Sequence, residues 1–194
     1  MGEKKIDTSF LDKAICFAVK AHSGVERRGK GFPYIVHPME AVAIVATFTK
    51  DQELLAAAAL HDVVEDTEYT VDDIRKEFGD RVAKLVASES DLQVEGKTES
   101  ESWKERKQFA IERLAKLDRD GKIVAMGDKL SNARAMLQDY ENLGEELWNK
   151  FHVTDPKLHK WHYEGLRDSL SELKGTFAFA EFEEIVHKLF DRYQ

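Results

Sequence analysis

Apolar positions along the chain recur at three- and four-residue spacings, the period of helices that bury one face, and no segment sustains the two-residue alternation of a half-buried strand. Leu11, Ala14, Ile15, Ala18 and Val19 predict a first amphipathic helix, with Ser9 able to cap its start and Gly24 beyond its end. A second helix runs through Ala41, Val42, Ile44, Val45 and Phe48; Pro38 suits its first position, which puts His37 at its mouth. Asp51 caps a third helix over residues 54–66, and Thr70 with Asp73 caps a short one through Ile74 and Phe78 that Gly79 stops. A further helix covers roughly residues 81–88, and the charged, small-residue segment 89–101 predicts a mobile loop. The helical pattern resumes at Ser102 with Trp103, Ala110, Ile111, Leu114 and Leu117. It continues over residues 121–137, where Ile123, Met126, Leu130, Ala133 and Leu137 face inward. Two long helices, about residues 157–174 and 177–193, meet at Gly175 and carry aromatic rings that read as core. The fold class is all-α.

Candidate chemistry concentrates in residues 54–66, where six apolar residues after Leu54 run into His61, Asp62, Glu65 and Asp66. On a helical wheel these four side chains share an arc of about 140° with Leu54 and Ala58, so the polar cluster continues a core-facing side. A buried, unpaired carboxylate costs about several kcal/mol, and a divalent cation supplies the compensating charge most simply. The plainer alternative is a solvated helix end. Asp128 is an equally awkward acid on an apolar helix, with Asn132 one turn further on. The loop over residues 27–34 holds Arg27, Arg28, Lys30, Phe32 and Tyr34 among two glycines and a proline. It can bind phosphate and stack on a base, or serve as an ordinary exposed basic loop. Lys104, Arg106 and Lys107 form a second basic group, whose plainer reading is a solvated face. His22 extends the stripe of the first helix and reads as a core histidine. His152, His159 and His162 lack an accompanying carboxylate pattern and read as surface residues.

Composition narrows the partners. With 194 residues and 42% hydrophobic content, one domain over residues 1–194 is expected, with the helices from about residue 157 packed onto it. A net charge of −8 argues against nucleic acid or an anionic membrane as the main partner, although the local cation clusters leave an anionic small molecule open. The lone Cys16, the absence of a signal-peptide pattern and the absence of a bilayer-length apolar run make the cytoplasm the expected compartment. No oligomeric state is legible.

Together His37, the adjacent His61-Asp62 and the distant Asp128 resemble the ligand set of HD-domain metal-dependent phosphohydrolases. Three strings sharpen the resemblance: Arg28-Gly29-Lys30-Gly31-Phe32-Pro33-Tyr34-Ile35-Val36-His37-Pro38, Ala59-Leu60-His61-Asp62-Val63-Val64-Glu65-Asp66-Thr67 and Gly127-Asp128-Lys129-Leu130-Ser131-Asn132-Ala133-Arg134. They are similar to the hydrolase domain of RelA/SpoT-type proteins, above all to its stand-alone form, the small alarmone hydrolases. The resemblance implies an all-α bundle of about ten helices. It also implies a Mn²⁺ cofactor and the hydrolysis of guanosine 3′,5′-bispyrophosphate (ppGpp) or its pentaphosphate relative to GDP or GTP plus pyrophosphate. By position it makes His37, His61, Asp62 and Asp128 the metal ligands, and Glu65 and Asp66 the groups that orient and deprotonate water. Arg28 would stack on the base, with Lys30, Tyr34, Asn132 and Arg134 also on the substrate and Lys104, Arg106 or Lys107 on its phosphates.

The sequence departs from the family pattern at Gly29, where a second cation is frequent, at Ser131, where His is frequent, and at Ser88-Glu89-Ser90-Asp91. These positions bear on nucleotide preference and leave the ligand set whole. The length leaves no room for a synthetase domain, so degradation without synthesis is expected. The competing readings are an HD phosphohydrolase acting on ppApp, a 5′-nucleotide or the phosphate of NADPH, and a silent nucleotide sensor.

Overall fold

The computed structural model of the protein describes residues 6–89, 96 and 98–193, which divide into two compact units, residues 1–90 and 91–194. Among the described residues every regular element is helical, and the backbone pairing of Glu26 with Pro33 is an isolated bridge. The fold is all-α, as the apolar spacing predicts. No helix among the described residues is long and apolar enough to cross a membrane.

The first unit contains α1 (Ser9–Ala21), α2 (Val36–Val45), α3 (Gln52–Leu60), α4 (Val63–Asp66), α5 (Val71–Phe78) and α6 (Asp80–Ala87). Its centre is α3, where Leu54, Leu55, the four alanines 56–59 and Leu60 are all buried and α1, α2 and α6 pack around them. Alanine side chains allow three neighbours to approach one short helix closely, so the interior fills without long side chains. Asp51 caps α3 as expected, accepting the amide of Glu53 at 2.9 Å.

The helix expected through residue 66 breaks, however, at His61-Asp62. The His61 ring donates from Nδ1 to the Ala58 carbonyl at 2.8 Å, competing for the acceptor an unbroken helix offers to the Asp62 amide. The break separates the ligand-type pair His61-Asp62 from Glu65 and Asp66, which ride on the single turn α4. Two other boundaries also differ. It is Asp7, not Ser9, that serves the start of α1, accepting the Ser9 amide at 3.0 Å and hydroxyl at 2.7 Å. Helix α2 begins at Val36, so Pro38 lies within its first turn, where its missing N–H has no intrahelical partner to lose; Phe48 lies beyond the helix end. The Thr70–Asp73 capping box and Gly79, at φ 87°, bound α5 as expected.

The second unit contains α7 (Glu99–Lys116), α8 (Arg119–Leu143), a 3-10 helix (Gly144–Lys150), α9 (Pro156–Ser169), a second 3-10 helix (Ser171–Leu173) and α10 (Phe177–Phe190). Helix α7 starts three residues before the expected Ser102 because Thr98 and Glu101 form a capping box. Of the loop expected over residues 89–101, positions 90–95 and 97 lie outside the described residues. Helix α8 runs 25 residues from its Asp118 cap, well beyond the 121–137 window, and residues 121–128 are all buried. Helices α7 and α9 meet at Gly165, where an added Cβ would lie 2.5 Å from Cδ1 of Ile111. The aromatic tail is core as expected, with Phe179, Phe182 and Phe190 fully buried. Phe177, at the α10 start, is the exception and stands 89% exposed.

Candidate metal centre and active site

Three donor atoms converge in the first unit. Nε2 of His37 and Nε2 of His61 lie 3.2 Å apart, and Oδ2 of Asp62 lies 3.3 Å from the first and 3.0 Å from the second. Both imidazoles are buried, and the Asp62 side chain is only 16% exposed. Because a carbonyl can only accept, the contact with Ala58 puts the proton of neutral His61 on Nδ1 and turns the Nε2 lone pair toward the other two groups. A lone pair facing a carboxylate in a buried site calls for a cation between them. The spacing fits one: with metal–ligand bonds of about 2.1 Å, neighbouring ligands lie about 3.0 Å apart in an octahedron and about 3.4 Å in a tetrahedron. Two imidazoles and a carboxylate form a donor set for a divalent cation. Glu65 and Asp66, exposed on α4, begin one turn beyond His61.

The basic loop is tied to this centre by Tyr34. Its hydroxyl donates to Oδ2 of Asp62 at 2.6 Å, and the charge of Asp66 acts on it as well. Burial, then the Asp62 charge, pushes the phenol pKa far above its ordinary value. The Tyr34 ring lies 4.8 Å from the ring of His22 and 5.9 Å, edge-on, from that of His37, with the Arg27 guanidinium 5.3 Å from its centroid. His22 is buried, as the stripe pattern predicts, but neither ring nitrogen has a hydrogen-bond partner. Burial lowers its pKa, against the opposing pull of Asp62 and Asp66. Arg28 is exposed and Lys30 half-buried. The loop is closed by backbone bonds from Tyr34 N to Val25 O and from Arg27 N to Phe32 O, each 2.9 Å.

In the second unit Asp128 is buried on α8, where Lys129 and, one turn on, Asn132 both donate to its carboxylate. Asn132, expected on the nucleotide, thus contacts Asp128. Arg134, also expected on the substrate, pairs with Glu181: its Nε and Nη2 donate to the two carboxylate oxygens at 2.7 Å each. Lys104 is exposed, its Nζ 5.9 Å from the Trp161 ring centroid, while Arg106 and Lys107 are half-buried.

The expectation of surface histidines fails for His159 and His162. His159 is buried against Trp148 and bonds the Val153 carbonyl at 2.7 Å; His162 is buried with Nδ1 lacking a hydrogen-bond partner. Burial, then the charges of Lys107 and Lys129, holds His162 neutral far below the usual imidazole range. Trp103 packs against both rings, which explains why they turn inward. Sequence reasoning attached no role to Lys129 or His162; their helical register, with His159 and His162 on one stripe, was the available signal.

The chain is similar to the GTP pyrophosphokinase of Streptomyces coelicolor, 30% identical over an alignment of 196 positions that covers 98% of this chain and 23% of that protein. It is 29% identical over 178 residues to the guanosine-3′,5′-bis(diphosphate) 3′-pyrophosphohydrolase of Haemophilus influenzae, covering 88% of this chain and 25% of that one. The chain thus spans about a quarter of the length of these curated relatives. Among solved structures it resembles a metazoan ortholog of SpoT that hydrolyzes ppGpp, with a TM-score of 0.74 and 26% identity over 95% of this chain and 98% of the other. A protein of Listeria monocytogenes EGD-e matches with a TM-score of 0.69 and 31% identity over 84% of this chain and 98% of that one. The HD domain profile matches residues 14–151, and with most of its length so accounted for, the chain belongs to the HD domain family.

Proposed function

We propose that this protein is a Mn²⁺-dependent hydrolase that removes the 3′-pyrophosphate of ppGpp or pppGpp, releasing pyrophosphate and GDP or GTP. The observation that carries the reading is the convergence of His37, His61 and Asp62 at 3.0–3.3 Å with Glu65 and Asp66 on the turn that follows. Relatives named for 3′-pyrophosphate hydrolysis support the substrate, and the motif around Asp128 supports that residue as the fourth ligand.

When bound, the divalent ion supplies Lewis-acid polarisation of a phosphoryl oxygen and lowers the pKa of water. Glu65, with Asp66 beside it, accepts the proton of the attacking water, a step worth about 10²–10⁴ in rate. The water oxygen bonds to the phosphorus carried on the ribose 3′-oxygen; the bond from that phosphorus to the 3′-oxygen breaks, and the 3′-oxygen takes up a proton. Arg28 stacks on the base, and Lys30 adds positive charge from the same loop. Lys104, Arg106 or Lys107 supplies positive charge for the phosphate oxygens.

Incubation with Mn²⁺ and, separately, ppGpp, ppApp, nucleoside 5′-monophosphates and NADPH, followed by chromatography of products, tests the reading. Pyrophosphate and GDP from ppGpp are expected. Orthophosphate released from 5′-nucleotides or NADPH, with ppGpp untouched, would replace it with a general phosphohydrolase.

A further inference from the structure

A tyrosine three residues ahead of a metal-ligand histidine, in a basic loop, invites a place on the substrate. The structure gives its hydroxyl another task. The hydroxyl carries one proton, and at 2.6 Å that proton is committed to Oδ2 of Asp62, the atom that also faces both imidazole nitrogens. The residue has little freedom to turn away. Its amide is held by the Val25 carbonyl at 2.9 Å, and its own carbonyl accepts the amide of His37 at 3.0 Å. Its ring is packed by His22, by the edge of His37 and by the Arg27 guanidinium.

His22 contributes as a ring. It is buried, 3% exposed, with no hydrogen bond to either nitrogen, so its contact with Tyr34 is one of shape and not of proton exchange. Carboxylates that hold metals are themselves commonly held by a donor behind them, which fixes which oxygen is presented and at what angle.

We propose that Tyr34 is a positioning residue that holds Asp62 in ligand geometry, with His22 and Arg27 bracing its ring, and that it does not itself grip the nucleotide. The inference rests on the reading of Asp62 as a metal ligand. Tyr34 thereby links the basic loop to Asp62 through its hydroxyl and to His37 through its backbone carbonyl.

Tyr34→Phe keeps the ring and removes only the donor. Titration of the purified protein with Mn²⁺, following free Mn²⁺ by electron paramagnetic resonance, is expected to show a Kd raised by about 10- to 100-fold. Saturating Mn²⁺ should restore most of kcat, with KM for ppGpp close to wild type. In an Asp62→Ala background the same substitution should change Mn²⁺ affinity little, because the group it positions is gone.

An unchanged Mn²⁺ Kd with a raised KM would overturn the proposal and return Tyr34 to the substrate. An equal loss of affinity in both backgrounds would also overturn it, since the effect would then not pass through Asp62. Should wild type itself bind no Mn²⁺, the metal-centre reading fails at its root, an outcome distinct from wild-type binding that Tyr34→Phe leaves intact. The melting temperature of the metal-free variant, expected within a few degrees of wild type, separates this role from general support of the fold.

Discussion

His61 donates from Nδ1 to the carbonyl of Ala58 at 2.8 Å and by that bond presents Nε2 to Nε2 of His37, 3.2 Å away. An ion held between these nitrogens joins α2 to the α3–α4 break, so stability of the first unit becomes linked to ion concentration. At free metal one hundredfold above Kd, the loaded form gains about 2.7 kcal/mol. Chelation of the Mn²⁺-loaded protein is therefore expected to lower Tm, measured by scanning calorimetry at fixed pH. Identical transitions before and after chelation would count against the linkage.

Glu65 is exposed on α4, one turn past His61, and is expected to act on water and not as a ligand. Glu65→Gln should keep Mn²⁺ affinity and lose about 10²–10⁴ in kcat. Metal content measured on the purified variant decides the point: loss of the ion would make Glu65 a ligand.

Two arginines that the motif strings put on the substrate should behave differently. Arg28 is exposed and open to a base, so Arg28→Ala is expected to raise KM for ppGpp roughly tenfold, about 1.4 kcal/mol, with metal content intact. Arg134 is forked onto Glu181 at about one-third exposure, so Arg134→Lys should leave KM alone and cost about 0.5–1 kcal/mol of stability. Steady-state kinetics beside urea denaturation separates the two outcomes.

His159 and His162 are buried and held neutral, their folded-state pKa values below the ordinary imidazole value of about 6.5. For a depressed pKa the unfolded chain binds more protons, so stability rises with pH. The contribution is fully present above about pH 6.5 and is lost as pH falls below it. Tm of the metal-free protein should decline between pH 7.5 and 5.5, and His162→Phe should flatten that slope. A slope unaltered by the substitution would place the titration elsewhere.

The parts of the molecule legible in the sequence are those set by local pattern. The Thr70–Asp73 box, the Asp51 cap and the apolar run 54–60 each follow from a few neighbouring residues, and each stands where spacing puts it. His37, His61 and Asp62 also converge as the motifs imply. What spacing could not reach were choices made by distant partners or by a competing local bond. The break after Leu60 depends on a ring proton finding Ala58, Arg134 on a glutamate 47 positions away, and His159 and His162 on Trp103 from another helix. Thr98 with Glu101 was visible as a capping pair, yet the polar run before it masked the start of α7.

The closed neck of the basic loop bears on how such a protein changes its appetite. Val25 and Tyr34 are bonded across its base, and Gly29 and Gly31, at φ 71° and 73°, take its turns inside. Residues 28–31 are therefore a cassette whose ends are held by partners outside it. Replacing those four residues with another sequence of equal length is expected to alter which base is accepted while Mn²⁺ affinity stays put, as parallel binding and substrate-panel assays would reveal. Selectivity and chemistry then lie on separate evolutionary handles, one exchangeable at the surface and one anchored in the alanine-lined interior.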